Sequence, residues 1–325
     1  MIKEMTWLDE VYNRFAKPIE DHQTAHALLI KGDQGVGKAR LALSLAASFL
    51  AESIDLDEED INEGKVPDCK LIKPHEGKEI ISIDQIRALK SFMLLTSLKG
   101  KGKVGIISPA HAMYGPAANS LLKILEEPPQ DTLIILISEP NDNLPKTIIS
   151  RTQIIEVNRP TREEALNWLS TINQEGSWEQ IIDIFGSRPT LLNDLGFEYL
   201  DNQIQQVAKD LENLLTKKIK PSELASSWKS EDLETNLRIL YFWFSRFLYH
   251  NLLQEGESNL LPDSLNKLLK LDLRAEESFT FLKEVASIRK YKIEGRSLNW
   301  SLQITNLVSP MYSNLKGLQN NESRT

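Results

Sequence analysis

The residues best equipped for chemistry stand early in the chain, where Gly32-Asp-Gln-Gly-Val-Gly37-Lys38 fits the pattern G-x-x-x-x-G-K. An apolar run, Ala27-Leu-Leu-Ile30, precedes it, and an Ala/Leu-rich segment from Ala39 to Ala51 comes after it. The glycines therefore sit between an expected strand and an expected helix, the context this motif needs. Gly32, Gly35 and Gly37 would let backbone N–H groups curl round a phosphate, the helix N-terminus would add positive potential, and Lys38 would reach the terminal phosphates of a nucleotide. The next residue breaks the pattern. Ser or Thr in that position would place a hydroxyl on Mg²⁺, and Ala39 has no oxygen to offer.

A working site of this kind also needs an apolar strand ending in carboxylates, which hold the metal and polarise water. Val104-Gly-Ile-Ile107 is the fitting strand, but it runs into Ser108-Pro109. A further apolar run, Thr132-Leu-Ile-Ile-Leu-Ile137, ends in Ser138-Glu139, and Glu139 is a conceivable substitute acid. Pro140 directly behind it counts against that use. With Mg²⁺ unsupported from both sides, hydrolysis in cis loses its main charge stabilisation. The expectation is a fossil nucleotide site in which neither ATP nor Mg²⁺ is functional. The alternative is an active P-loop ATPase or kinase that uses Glu139.

Composition bounds the remaining classes. A chain of 325 residues is comfortable for two or three domains. Thirty-eight basic against forty-six acidic side chains give a formal charge of −8, so no global positive field draws the chain onto phosphates. Cys69 is the single cysteine, which excludes an internal disulfide and a cysteine-built zinc site. The start, Met1-Ile-Lys-Glu-Met-Thr-Trp7, lacks the regions of a secretory signal, and a cytoplasmic location is expected.

Periodicity supplies the elements that would position the motif. Strands at 27–30, 104–107 and 132–137 alternate with helices, which implies a mainly parallel sheet covered on both faces. The helix over Ala117–Glu127 carries Ala118, Leu121, Leu122 and Leu125 on one face and stops at Pro128-Pro129. Residues 51–65 hold seven acids and read as a solvated loop, with a specific basic partner as the other reading. Lys99, Lys101 and Lys103, interleaved with Gly100 and Gly102, read as a flexible basic turn, with a DNA contact as the other reading. After Ile154–Val157 the pattern turns helical. Thr161-Arg-Glu-Glu164 is a capping box. Gly186-Ser-Arg-Pro189, Lys220-Pro-Ser222 and Glu255–Ser258 punctuate the helical remainder. The helix Leu237–Leu253 carries Tyr241, Phe242, Trp243, Phe244, Phe247 and Tyr249, so it must be buried within a bundle or between subunits. The polar tail 318–325 reads as disordered.

Two segments point to a family. Ala117-Ala-Asn-Ser-Leu-Leu-Lys-Ile-Leu-Glu-Glu-Pro-Pro129 closely resembles the helix after the second nucleotide-site strand in clamp-loader subunits of bacterial DNA polymerase III, which are AAA+ proteins. Ile148-Ile-Ser-Arg-Thr152 looks like their Ser-Arg-Cys motif, with Thr152 in place of the cysteine. Joined to the degraded loop, these resemble the non-hydrolysing member of the loader pentamer. The resemblance is strong over residues 20–155 and architectural beyond them.

It implies a RecA-like AAA+ α/β domain over 1–160, a helical lid over 161–205 and an all-helical collar over 206–325. It places Ser138 near the sensor 1 position and Arg188 near sensor 2. It implies that Ser150 and Arg151 belong to a motif whose arginine reaches into the ATP site of an adjoining motor subunit. A planar, permanently charged guanidinium suits the charge of a phosphoryl-transfer transition state. The competing reading of Arg151 is a structural ion pair at a strand end. Implied partners are gamma/tau-type motor subunits and a clamp-opening delta subunit, with the sliding clamp and primed DNA reached through the assembly. Relatives often carry a cysteine cluster for zinc in the first domain. Only Cys69 stands here, so zinc is not carried over.

Overall fold

The computed structural model describes residues 4–52, 56–173, 176–253 and 275–322. The chain divides into two compact units, one reaching to Ile182 with Gly186–Asp194, the other Asp183–Phe185 with Leu195 onward. Compactness thus groups most of the expected lid with the sheet, although its sequence is wholly helical.

The first unit contains α1 (Thr6–Glu20), β1 (Ala27–Gly32), α2 (Lys38–Leu50), α3 (Glu58–Asn62), β2 (Cys69–Ile72), α4 (Ile83–Met93), β3 (Lys103–Ile107), α5 (Gly115–Glu126), β4 (Thr132–Ser138), α6 (Lys146–Ile149), β5 (Gln153–Val157) and α7 (Arg162–Ile172). Helices α8 (Glu179–Phe185) and α9 (Pro189–Leu195) come next. The strands form one sheet in the order β2-β3-β4-β1-β5, and every pairing is parallel. A wholly parallel sheet must be covered on both faces, and its central strands are correspondingly apolar. All seven residues of β4 are buried, as are all five of β3. On one face Leu29, Ile107, Ile134 and Leu136 pack with Leu121 and Leu125 of α5. The capping box at Thr161 forms as expected: its hydroxyl accepts from Glu164 N–H at 3.2 Å, and the Glu164 carboxylate accepts from Thr161 N–H at 2.8 Å.

Lys103 departs from the expected basic turn. It opens β3, buried, and its ammonium donates to Asp68 at 2.9 Å and lies over the Phe92 ring. Asp68 is buried too, and accepts from Ser97 Oγ and from the N–H groups of Leu98 and Lys99. The side chain of Lys99 pairs with Glu52 at 2.6 Å. The basic segment is therefore organised by one buried carboxylate.

The second unit holds α10 (Phe197–Leu215), α11 (Pro221–Ser227), α12 (Leu233–Leu253), α13 (Ala275–Ile293) and α14 (Trp300–Glu322), and among the described residues it has no strand. Leu237, Leu240, Trp243, Phe244 and Phe247 of the aromatic helix α12 are buried, and the Phe244 ring packs tilted against Phe281 of α13 with centroids 4.2 Å apart. Tyr241 and Tyr249 remain exposed. The turn expected at 255–258 lies outside the described residues. Helix α14 runs to Glu322, through most of the tail expected to be disordered, because adding a residue to an existing helix costs far less than starting one.

Asp68 yields a prediction. Burial raises its pKa, but the N–H donors of Lys99 and Leu98, the Lys103 ammonium and the Ser97 hydroxyl outweigh that and hold it at about 2. A depressed carboxylate stabilises the fold above its ordinary pKa of 3.8, and that stability is lost as pH falls towards about 2. Asp68→Asn should cost about 3–5 kcal/mol in urea unfolding at neutral pH, because it strands the buried Lys103 charge. The difference from wild type should shrink on acidification, and a constant difference would contradict the assignment.

Candidate functional site: a glycine loop and a remote arginine

The glycine loop leaves β1 and enters α2, and its glycines are required by packing as well as by backbone conformation. A Cβ on Gly32 would lie 2.6 Å from the carbonyl oxygen of Val157 in β5. Gly35 has φ of +81°, and a Cβ there would lie 2.5 Å from Leu191 Cβ and 3.0 Å from Arg188 Cβ. Segment 186–191 therefore rests against the loop. Thr190 N–H donates to Gly35 O at 3.1 Å, and Trp7 Nε1–H of α1 donates to Val36 O at 2.9 Å. Asp33 pairs with Arg159. These loop partners were invisible in the sequence, because neither Trp7, Arg159 nor Thr190 belongs to a local pattern.

Lys38 is buried, and its ammonium donates to Gly32 O and Asp33 O, each at 2.7 Å. Burial lowers its pKa, while the carboxylates of Glu139, Asp142 and Asp33 oppose that shift. The cation thus closes the loop upon itself.

A cavity of about 560 Å³ opens beside the loop. Ala39 lines it from α2, Ser108 and Pro109 from the end of β3, and Ser138 and Glu139 from the end of β4. The parallel sheet thus brings together the positions singled out in the sequence. The hydroxyl a metal would need is missing at 39, and the carboxylates are missing at 108 and 109. Glu139 does reach the cavity. Its N–H donates to Asp142 Oδ2 at 2.6 Å, and the buried Ser138 hydroxyl donates to the same carboxylate at 3.1 Å. His111 Nδ1 meets that oxygen at 2.7 Å.

Asp57 and Glu58 also line the cavity, which corrects the reading of 51–65 as merely solvated. Asp57 caps α3 by accepting from Asp60 N–H, and Glu58 pairs with Lys73. Asp194 lines the cavity too, and its pKa is raised chiefly by burial and further by Glu58, against Arg40. With Glu4 and Glu139 added, carboxylates outnumber the cations of Lys38 and Arg40 around a space that would have to hold a polyanion.

Arg151 stands elsewhere. It precedes Gln153, which pairs with Leu28 at the start of β1, whereas the loop begins at Gly32 beside Val157. Roughly one strand length, on the order of 15 Å, separates those two edges of the sheet. The guanidinium does not line the cavity. Its Nη2 meets Glu126 Oε1 at 2.8 Å, and its Nη1 donates to Thr147 O at 3.1 Å. The side chain is 37% exposed. The expected strand-end ion pair therefore exists, on the protein surface. Ser150 Oγ donates to Thr147 O at 3.1 Å and lies 3.4 Å from Arg151 Nη1.

Among the described residues, no group of three or more His, Cys, Asp or Glu is arranged to hold a metal ion, and no helix is long and apolar enough to cross a membrane. Cys69 is buried in β2, a strand that the sequence reading missed because Cys-Lys-Leu-Ile is short and carries a lysine.

The strand order and the glycine loop at the end of β1, with Ser108-Pro109 and Ser138-Glu139 at the ends of β3 and β4, define a P-loop domain of the RecA-like AAA+ type. The family profile described as DNA polymerase III, delta subunit, matches residues 7–161. The delta-prime subunit of DNA polymerase III from Pseudomonas aeruginosa is 33% identical over 233 residues, covering 68% of this chain and 70% of that protein. Its Bacillus subtilis counterpart is 40% identical over 161 residues, 47% of this chain and 48% of that one. A crystal structure of a DNA polymerase III gamma subunit-related protein from Thermotoga maritima aligns with a TM-score of 0.48 at 21% identity, over 94% of this chain and 99% of that one. The chain belongs to the family of DNA polymerase III delta-prime subunits.

Burial also makes a prediction for Cys69, because it pushes the thiol pKa up to about 12. A buried neutral thiol is a poor nucleophile. At mildly alkaline pH, alkylation of the native protein should proceed only as fast as the first unit opens, and should become rapid in denaturant. Prompt labelling of the folded chain would show that β2 is not a covered edge.

Proposed function

We propose that this chain is the non-hydrolysing subunit of a cytoplasmic clamp loader. It stands in a ring-like pentamer with gamma/tau-type motor subunits and a clamp-opening delta subunit. Its C-terminal helices form its share of the collar, and the assembly loads the sliding clamp onto primer-template DNA. Arg151 projects into the neighbouring motor subunit's site as an arginine finger. There the guanidinium fork neutralises charge on the transferring phosphoryl group.

The position of Arg151 carries this reading. It is half-exposed at the sheet edge opposite this chain's own loop, so phosphates bound in cis are out of its reach, while a second subunit's are not. The chain's own loop supports the complementary half. Ala39 and Pro109 offer a metal no side-chain oxygen, Ser108 stands where a carboxylate is needed, and Lys38 is engaged by loop carbonyls. The same reading assigns Ser138, which lines the cavity, and Arg188, whose Cβ faces Gly35, to sensor-like roles without a catalytic site to sense. Neither zinc nor Mg²⁺-ATP has a functional role within the chain in this reading.

The purified chain should show no ATP hydrolysis above background with Mg²⁺ present. Turnover abolished by Lys38→Ala and by Glu139→Ala would overturn this and make the chain an active P-loop ATPase with Glu139 as its acid.

A further inference from the structure

The carboxylate that meets Arg151 is not placed at random. Glu126 lies in the last turn of α5, just before Glu127 and Pro128-Pro129 end the helix. A negative charge at a helix C-terminus is disfavoured by the helix dipole, so an unpaired acid there gains nothing for the fold. The acid is also half-exposed, at 50%, and an exposed ion pair contributes little stability. The pair therefore has weak grounds as a structural staple, and its geometry is that of a holder. Glu126 Oε1 takes Nη2 at 2.8 Å, and Thr147 O takes Nη1 at 3.1 Å. Two separate elements, α5 and α6, thus fix two corners of one planar group. A guanidinium has five N–H donors, so donors remain for phosphate oxygens once two are engaged.

We infer that Glu126 is the positioning residue for Arg151, holding the guanidinium in the orientation in which it meets the neighbouring subunit's nucleotide. This inference rests on the finger role of Arg151 proposed for the chain. A long flexible side chain at a surface would otherwise sample many rotamers, and a finger must be in place when the phosphoryl group transfers. Because the holder acts on the transition-state geometry, its loss lowers kcat and leaves KM for ATP unchanged.

The experiment is a double-mutant cycle in a fully assembled loader in which only the motor subunit adjoining this chain keeps a working nucleotide site, with Glu126→Gln, Arg151→Ala and the pair. DNA-stimulated ATP hydrolysis is read together with native mass of the complex and the unfolding midpoint of the isolated chain. Glu126→Gln should reduce kcat about fivefold, far less than the largest finger effects, with assembly and unfolding midpoint unmoved. In the Arg151→Ala background, the same change should have no further effect. An unchanged rate for Glu126→Gln beside a slowed Arg151→Ala would remove the positioning role and leave the finger. Additive losses in the pair would show that Glu126 acts without Arg151, and so would also reject the inference. If Arg151→Ala itself leaves hydrolysis unchanged in an intact complex, the finger reading falls and the inference falls with it.

Discussion

The structure depends on the parallel pairing of β4 with β1 and β3. Every residue of β4 is buried, and its registers with Ala27–Lys31 on one side and Lys103–Ile107 on the other set the strand ends level with each other. Parallel strands put all their C-terminal ends on one edge of the sheet and all their N-terminal ends on the other. The first edge collects the glycine loop, Ser108-Pro109 and Ser138-Glu139. The second collects Glu126, at the end of the helix that leads into β4, and Arg151, just ahead of β5. One hydrogen-bonding pattern therefore creates two separate chemical edges in one domain, and only the first could have served this chain's own nucleotide.

On that first edge, the shape of the loop is fixed by packing around it. Gly32 and Gly35 are required because Val157 and Leu191 leave no room for a Cβ, a demand that persists whether or not phosphate binds. Lys38 has become part of the same packing, with its ammonium tied to two loop carbonyls. Packing alone therefore demands these residues, so the motif by itself does not establish hydrolysis. Asp57, Glu58 and Asp194 add carboxylates to the lining of the same cavity.

Much of this was legible in the sequence, for identifiable reasons. Strands β1, β3 and β4 announce themselves as apolar runs bounded by glycine or proline, and the loop sits where its pattern requires. The departures at Ala39 and Ser108-Pro109 are local, so no structure was needed to find them. What stayed hidden was long-range. Cys69–Ile72 is too short and mixed to declare itself as a strand, and Lys103 looks like a solvated turn until Asp68 is seen to approach it from thirty-five positions away. The acidic insert gave no hint that two of its members face the cavity. Glu126 and Arg151 each stood out within a segment resembling a family, but nothing in either segment told that they touch.

In the proposed loader, this chain lends an arginine across a subunit boundary and hydrolyses nothing itself. A loader in which only the motor subunit adjoining this chain retains a working nucleotide site isolates that contribution, since no other finger can mask it. In that assembly, Arg151→Ala should abolish most DNA-stimulated hydrolysis, and Arg151→Lys should restore little, because a point charge cannot reproduce the planar fork. Arginine fingers are worth up to about 10³–10⁵ in rate, so the loss should be unmistakable. Undiminished hydrolysis by the fully assembled Arg151→Ala complex would contradict the finger role and leave the chain a scaffold alone.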